Sequence, residues 1–507
     1  MDLIGNLALG FSVALTLQNI LYCLLGTIVG TLVGVLPGLG PVATIAILLP
    51  LTFGLEPTTA LIMLAGIYYG ASYGGSTTAI LVNLPGETSS VVTALDGYQM
   101  ARQGKAGEAL VTAALGSFFA GTVGTIIIAA FAPPLSALAL SFGPAEYFSL
   151  MVLGLIAAVV LAHGSIAKAV AMIVLGLLLG LVGTDVTSGA ERFTFGVVEL
   201  SDGLDFVVIA MGIFGIGEII SNLDHPEEER ETFATSTGSL GVWRLTKDDF
   251  RRAWPASLRG TALGAVLGII PGGGATLGAF SSYMLEKKLS REPGRFGKGA
   301  IEGVAGPESA NNAGAQTSFI PMLTLGLPSN AVMALMIGAL MVHNIQPGPQ
   351  VMESNPNLFW GLIASMWIGN LLLVILNLPL IGIWIKLLTV RYRLLFPVIL
   401  ILCCIGVYSV SNSAFLVYLT PLFGFLGYVF AKLECEPAPL LLGFVLGPMM
   451  EENLRRAMTM SDGDATTFVT RPLSLVLLLM AAALLVMVLS PALSKRREEA
   501  FQEETHA

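Results

Sequence analysis

The sequence predicts an all-α integral membrane protein with roughly ten to twelve transmembrane helices, two inverted repeats and broken or re-entrant helices. Of its 507 residues, 54% are hydrophobic and only 12% are charged, with a mean hydropathy of +0.80. Soluble domains carry about 25% charged residues, so a water-soluble fold could not cover its surface with so few. Apolar runs of about 20 residues, enough to cross a bilayer, recur along the chain. Two distant segments are also near copies of each other.

The start of the chain lacks the basic residues of a cleaved secretory signal, because its first Lys or Arg is Arg102. We therefore expect the first spanning helix to direct insertion. The formal net charge of −9 and the pI near 5.1 argue against nucleic acid as a partner. The four cysteines form no C-x-x-C pair and most lie in apolar runs, which indicates small buried residues.

The near copies are Gly26–Gly40, which reads GTIVGTLVGVLPGLG, and Gly260–Gly274, which reads GTALGAVLGIIPGGG. Seven positions are identical at a constant offset of 234 residues. After a variable insert, a small-residue and polar stretch follows each copy and ends in a Leu-Pro turn, within Asn83–Glu87 and Leu327–Asn330 respectively. Two homologous halves of this kind are typical of secondary transporters.

These landmarks divide the chain into four parts. The predicted parts are an N-terminal membrane repeat at 1–224, a polar cytoplasmic connector at 225–259, a C-terminal membrane repeat at 260–493 and a polar tail at 494–507. The connector is the longest polar stretch, and we interpret it as solvated with one interfacial helix.

Lys and Arg lie on opposite flanks in the two halves. In the first half, the flank before the copy and the insert at 51–58 hold none, whereas the following loop carries Arg102 and Lys105. In the second half, the flank and the insert are basic, and residues 343–357 hold no Lys or Arg. Because short basic loops stay cytoplasmic, the copies are predicted to cross the membrane in opposite directions. Inverted repeats can open one site to either side in turn.

Proline and clustered glycine end both copied helices, at Pro37–Gly40 and Pro271–Gly274. Backbone groups freed there must face protein or a water-filled cavity. Helix N-termini at such breaks attract anions, and free carbonyls attract cations. The predicted substrate-binding positions in the breaks are Gly38, Gly40, Gly272, Gly273 and Gly274. The alternative is a close-packed glycine crossing between helices, which the spacing of Gly26, Gly30 and Gly34 fits.

Neutral polar side chains follow each copy in stretches that should lie within the membrane. Such hydroxyl and amide groups can bind a carboxylate without a permanent countercharge, and their oxygens can also coordinate sodium. The predicted substrate-binding residues in these stretches are Gly75, Ser76, Thr77, Thr78, Asn83, Ser309, Asn311 and Asn312. Hydrogen bonding between helices uses the same residue types and is the alternative.

Acidic groups at membrane depth are costly and usually functional. Glu308, within Gly306–Asn312, is the leading candidate to carry a proton or a cation. Glu87, Glu302 and Thr324 complete the predicted ion-coupling set. A helix-capping or interfacial acid is the alternative for Glu308. Both Na⁺ and H⁺ stay open as the coupling ion, and no other cofactor is predicted.

Two common catalytic motifs are missing from the sequence. It contains no P-loop and no H-E-x-x-H, and His163 and His343 are too isolated to suggest a metal site. Gly38–Ala43 satisfies a loose G-x-G-x-x-A but follows a membrane helix instead of a strand. The sequence therefore predicts a protein that is not an enzyme. A membrane-embedded enzyme acting on lipid-like substrates and a passive channel are the alternatives.

Several longer motifs point to one family. They are PGLGPVATIA at 37–46, LAGIYYGASYGGSTTAI at 64–80, NLPGE at 83–87, DGY at 96–98, FGKGAIEGVAGPESANN at 296–312 and PMLTLGLP at 321–328. Together they resemble the large transmembrane subunit of the tripartite tricarboxylate transporters, essentially over the whole chain. One departure is Leu327–Asn330, where a further glycine after the proline would be more usual.

The resemblance implies a multi-pass permease of the bacterial inner membrane. Its implied partners are a small four-helix membrane subunit and a periplasmic solute-binding protein. Its implied substrates are tricarboxylates such as citrate or other small organic acids. Uptake is expected to be symport driven by an ion gradient and not by ATP.

Overall fold

A computed structural model describes residues 3–36, 40–83, 86–161, 165–185, 188–224, 245–270, 274–380, 383–384 and 392–489. Within these ranges almost every ordered element is a helix. The described strands, β1 (Gly183–Thr184) and β2 (Glu191–Arg192), form one short antiparallel hairpin. The predicted all-α class is confirmed.

The first half forms ten helices among the described residues. They are α1 (Leu3–Ala14), α2 (Leu17–Val35), α3 (Pro41–Leu48), α4 (Pro57–Val82), α5 (Val91–Arg102), α6 (Ala106–Ala139), α7 (Pro144–Leu161), α8 (Ile166–Gly180), α9 (Phe206–Ala210) and α10 (Gly217–Asp224). A π-helical turn, Met211–Ile216, joins α9 to α10.

The second half follows with twelve helices in its described ranges. They are α11 (Lys247–Gly268), α12 (Gly274–Leu289), α13 (Glu302–Thr317), α14 (Phe319–Leu325), α15 (Ala331–Val342), α16 (Val351–Ser354), α17 (Pro356–Asn377), α18 (Tyr392–Ser411), α19 (Ala414–Lys432), α20 (Ala438–Met460), α21 (Thr467–Thr470) and α22 (Pro472–Leu489).

Five of the described helical segments are long and apolar enough to cross a membrane. They are Leu17–Val35, Ala106–Ala139, Phe206–Leu223, Pro356–Asn377 and Ala414–Lys432. Six further apolar helices are shorter. The structure thus supports a multi-pass membrane protein, and the larger number of spans stays a prediction.

Most of the predicted connector and the whole predicted tail lie outside the described residues. Thr246 caps the start of α11 by accepting a hydrogen bond from the backbone N–H of Asp249. From there α11 continues without interruption to Gly268. The helix expected near the end of the connector and the helix that opens the second repeat are therefore one element.

Glycines of the copied helices pack directly against a neighbouring backbone. Gly26, Gly30 and Gly34 of α2 face the carbonyl oxygens of Met63, Ile67 and Ala71 on α4. Gly260, Gly264 and Gly268 of α11 face those of Gly306, Ala310 and Gly314 on α13. A Cβ atom at any of these six glycines would overlap with backbone. The glycine crossing weighed as an alternative from sequence is therefore present in both halves.

The partner positions on α4 and α13 also repeat. Each second-half position lies 243 residues after its first-half counterpart, and the same offset relates Asn83 to Gly326 and Glu87 to Asn330. Asn83 and Gly326 end their helices in the left-handed conformation, with φ of 57° and 70°. Glu87 and Asn330 then adopt extended backbone and begin the next helical segment. We name Asn83 together with residues 86–90 the first tip, and 326–330 the second tip.

The two halves exchange long helices. The first-half helix α6 packs against α11 and α13, whereas the second-half helix α17 packs against α2 and α4. Similarly, α3 contacts α15, and α12 contacts the turn before α5. Each half therefore completes the packing of the other.

A buried carboxylate joins the halves a second time. Asp96 on α5 is fully buried and accepts hydrogen bonds from the backbone N–H groups of Gly299 and Ala300, at 2.8 and 2.7 Å. The Tyr283 hydroxyl on α12 donates to its other oxygen at 3.0 Å. Asp96, which belongs to the DGY motif, thus fixes α5 to the segment that precedes α13.

Candidate functional site

The most buried acid of the predicted set is Glu308 on α13, which is 1% exposed. Three hydroxyl groups from the other half donate to its carboxylate. Ser76 on α4 donates to Oε2 at 2.7 Å, Thr93 on α5 to Oε1 at 2.5 Å, and Ser117 on α6 to Oε2 at 3.3 Å. Because hydrogen bonds from hydroxyls compensate for lost water, this acid can be held at depth without a cationic partner.

Asn312 extends this cluster by one helical turn. Its Nδ2 donates to Ser117 Oγ at 2.7 Å and to the Glu308 carbonyl at 3.1 Å. The amide therefore orients Ser117 toward the Glu308 carboxylate. We name Glu308, Ser76, Thr93, Ser117 and Asn312 the Glu308 cluster.

A second cluster forms around Glu87 at the first tip. Ser89 Oγ and Asn311 Nδ2 donate to Glu87 Oε1 at 2.5 and 3.0 Å. Ser72 Oγ lies 3.4 Å from the other oxygen, Oε2. Glu87 is only partly buried, whereas Ser72 and Asn311 are buried. We name these four residues the Glu87 cluster, and it too combines both halves.

Gly75 allows the first tip to approach α4. A Cβ atom there would lie 3.3 Å from the Glu87 backbone nitrogen and side chain, closer than most side-chain contacts. Of the predicted substrate-binding residues, Ser76 and Asn312 reach the Glu308 cluster and Asn311 reaches the Glu87 cluster.

The other predicted polar residues belong to neither of these clusters. The hydroxyls of Thr77, Thr78 and Thr324 donate to backbone carbonyls three or four residues earlier in their own helices. Ser309 Oγ and Glu302 Oε2 are buried without a hydrogen-bond partner in the described structure. Asn83 is exposed at the end of α4. None of these side chains has a recorded hydrogen bond to either carboxylate.

Of the two helix breaks, Pro37–Gly40 and Pro271–Gly274, the structure describes only the last residue of each. Gly38, Gly272 and Gly273 lie outside the described residues. Gly40 is the N-cap of α3, and Gly274 opens α12 beside Gly268.

Sequence reasoning missed Glu218 at the first break. Its carboxylate accepts a hydrogen bond from the Gly40 backbone N–H at 3.4 Å. Glu218 lies two residues after the end of the π-helical turn, and such turns are frequent at functional sites. A usable signal was present, since Glu218 is an acid inside the apolar span Phe206–Leu223.

A cavity of about 10 Å³ adjoins Glu308 and is lined by Tyr73, Ser117 and Asn377 among others. This volume matches one water molecule and not a carboxylic acid. A cavity of about 280 Å³ lies elsewhere, behind the second tip at Leu325 and Pro347. The Glu308 cluster is thus closed in this conformation.

Metal ligands do not cluster in the described part of the chain, where no three His, Cys, Asp or Glu residues converge. Burial lowers the pKa of His343, so this imidazole is neutral at pH 7.

Most of the chain resembles one known protein family. Residues 20–442 match the profile of the tripartite tricarboxylate transporter TctA family. A protein of Agrobacterium vitis named "Uncharacterized 52.8 kDa protein in TAR-I ttuC' 3'region" is 60% identical over 504 residues, which cover 99% of this chain and 100% of that protein. Another from the same organism, "Uncharacterized protein in TAR-II ttuC' 3'region", is 59% identical over 241 residues, 48% of this chain and 100% of that protein. No solved structure matches.

Proposed function

Because this chain belongs to the tripartite tricarboxylate transporter TctA family, we propose that it is the permease subunit that imports tricarboxylates or other small organic acids with a coupled cation. Family membership makes it a multi-pass subunit of a transport system. The substrate, the coupled cation and the direction of transport are our proposal.

The observation that carries the proposal is the Glu308 cluster. An acid from the second half is buried at a point where hydroxyls of α4, α5 and α6 from the first half converge on it. Such an acid can take up and release a proton or bind a cation as the surrounding helices move apart and together. We therefore assign Glu308 to ion coupling.

Alternating access would follow from the relation between the halves. The copied helices repeat the same glycine packing, the same left-handed turn and the same exchange of a long helix. With the opposite Lys and Arg bias, these repeats support an inverted pair whose halves exchange shapes between inward-open and outward-open states. Substrate carboxylates would meet the helix N-terminus at Gly274 and, once Glu218 releases the Gly40 backbone N–H from which it now accepts, also the one at Gly40.

The proposed setting is a bacterial inner membrane. There the chain would act with a small four-helix membrane subunit and would receive its substrate from a periplasmic solute-binding protein. The tripartite organisation that gives the family its name supports the presence of further subunits, and the identity of these two partners is part of our proposal.

Uptake into proteoliposomes tests the proposal. The chain would be reconstituted with its small partner subunit and given labelled citrate, with or without the binding protein, under imposed Na⁺ or proton gradients. We expect accumulation that requires both a gradient and the binding protein. Success with another acid would change only the substrate. Absence of gradient-driven accumulation of any carboxylate would reject the permease assignment.

These findings do not support the alternative of a membrane-embedded enzyme. The matching family is one of transporters, and the acids Glu87 and Glu308 are engaged by hydroxyl and amide donors.

A further inference from the structure

We propose that Glu87, Asn311 and Ser72 form a binding site for a dehydrated monovalent cation of the Na⁺ class. The inference rests on the proposed function only in identifying this ion with the coupled cation. The site consists of three oxygen atoms, one from Glu87 at the first tip, one from Ser72 on α4 and one from Asn311 on α13.

The first oxygen is Asn311 Oδ1. Asn311 is 1% exposed, and its Oδ1 is buried without a hydrogen-bond partner in the described structure. A buried carbonyl oxygen left unpaired is costly and calls for an explanation such as a bound ion. The hydrogen bond to Glu87 determines which way the Asn311 amide faces, because Nδ2 donates to Glu87 Oε1 at 3.0 Å. A flipped amide would instead place Asn311 Oδ1 against Glu87 Oε1, and both atoms are acceptors.

The second oxygen is Glu87 Oε2. Ser89 and Asn311 both donate to Oε1, whereas Oε2 has only the long contact with Ser72. Glu87 is also partly exposed, so an ion can reach it. This carboxylate therefore keeps an oxygen available for a ligand.

The third oxygen is Ser72 Oγ, whose distance from Glu87 Oε2 is informative. A hydroxyl that donates to a carboxylate usually lies about 2.5–2.7 Å away, but Ser72 Oγ lies 3.4 Å from Glu87 Oε2 and can donate instead to the Tyr68 carbonyl at 3.3 Å, which leaves its lone pairs for an ion. Two oxygens that bind one hard cation at right angles, each at about 2.4 Å, lie about 3.4 Å apart. The pair is thus spaced for a shared ion.

The charge of the three ligand groups favours a monovalent cation over a divalent one. One carboxylate with two neutral oxygens balances a single positive charge, whereas divalent cations usually draw on several carboxylates. No group of three or more His, Cys, Asp or Glu side chains converges anywhere in the described ranges. The site therefore favours Na⁺ over Ca²⁺.

The Glu308 cluster differs in the direction of its hydrogen bonds. Three hydroxyls, at 2.5 to 3.3 Å, donate to the Glu308 carboxylate and satisfy its charge without a bound ion. Glu308 is fitted to hold its own charge or a proton, and Glu87 to hold a cation. Because Asn311 belongs to the second half and Glu87 to the first, the ion would link the two.

Cation binding to the purified full-length chain tests this site without any carboxylate present. The thermal unfolding midpoint is followed as NaCl replaces choline chloride at constant ionic strength, and bound ²²Na⁺ is measured in parallel. We expect a saturable Na⁺-specific rise in the midpoint. Glu87→Gln should weaken Na⁺ affinity on the order of 10–100-fold or more, since even the loss of a group behind a metal ligand costs that much. The exposed loop variant Glu292→Gln is the matched control and should keep the wild-type response.

Asn311→Asp provides an independent readout. This change keeps the shape of the side chain and adds a second carboxylate, so the variant should gain a midpoint response to Ca²⁺ that the wild type lacks. A wild type indifferent to Na⁺, or a Glu87→Gln variant with unchanged affinity, would overturn the site. If Glu87→Gln protein does not fold, an Asn311→Asp variant without a Ca²⁺ response would overturn it.

The cation-binding experiment and the carboxylate-uptake experiment can fail independently of each other. Intact Na⁺ binding alongside failed carboxylate uptake would reject the permease proposal and leave the cation site standing. Carboxylate uptake by a protein without Na⁺ binding would reject the cation site alone.

Discussion

At the scale of single residues, Glu308 is defined by what surrounds it. Its carboxylate is held by hydroxyls from three helices of the opposite half, and a water-sized cavity lies beside it. Hydroxyl groups can rotate to donate or to accept. They can therefore adjust when the acid gains or loses a proton, without large movement of the helices.

The first prediction concerns the charge of this acid. Glu308→Gln removes the charge but keeps the shape, so the protein should reach the membrane at normal levels. Gradient-driven uptake in proteoliposomes should fall about 10–100-fold, which corresponds to the loss of charged-group hydrogen bonds. The exposed variant Glu292→Gln should transport normally. Wild-type uptake by Glu308→Gln would remove this residue from ion coupling.

The second prediction concerns the shortest hydrogen bond to Glu308. Thr93→Val keeps the side-chain volume and deletes the hydroxyl that lies 2.5 Å from Oε1. We expect uptake to fall about tenfold, because a buried carboxylate loses a donor. Thr93→Ser restores the hydroxyl and should restore most of the activity. Equal rates for the valine and serine variants would show that the methyl packing matters and the hydrogen bond does not.

Only some of these residues could be predicted from the sequence. Glu308 stood out because an acid in a stretch expected at membrane depth is costly. Thr93 and Ser117 did not, because isolated hydroxyls are common in helices and their contacts with Glu308 span 215 and 191 residues. Glu218 was overlooked although the same rule that selected Glu308 applies to it. The pairing of specific donors with specific acids required the fold.

At the scale of elements, glycine determines how closely helices approach. The α2–α4 and α11–α13 pairs meet backbone to backbone at every fourth residue of their glycine stripes. The duplicated GxxxGxxxG spacing was visible in the sequence. The identity of the partner helix was not, because the offset changes from 234 to 243 residues across the variable insert.

The third prediction tests this close approach. Gly30→Ala and Gly264→Ala each place a methyl group against a backbone carbonyl, of Ile67 and Ala310 respectively. Each should destabilise the protein by about 1–3 kcal/mol, the usual effect of overpacking. Thermal unfolding in detergent would measure the loss. Gly54→Ala meets open space and serves as the control. Equal stability of all three variants would mean that the helices separate without cost.

At the scale of the whole molecule, the halves touch where the first tip meets α12. The hydroxyl oxygens of Thr88 and Thr276 lie 3.1 Å apart and are exposed. This contact lies beside the Glu87 cluster, so movement of one half against the other should open it.

The fourth prediction uses this contact as a movement sensor. Thr88→Cys combined with Thr276→Cys, in a chain whose four native cysteines are replaced, should form a disulfide on oxidation. The cross-link should abolish uptake, and a reducing agent should restore it, because a locked pair of halves cannot alternate. Each single variant controls for oxidation itself. Full transport by the cross-linked protein would place the movement elsewhere.

Because α6 and α17 each pack against the other half, α6 is synthesised well before its packing partner. Helix α6 ends at Ala139, whereas its packing partner α13 begins at Glu302, 163 residues later. At about 5–20 residues per second, the ribosome needs on the order of 10–30 s to deliver that partner. During this interval the α6 face that carries Ser117 has no native neighbour to donate to. The nascent chain must therefore be shielded by the insertion machinery, and a stall in translation between the halves would expose this polar face to lipid or to quality-control proteases.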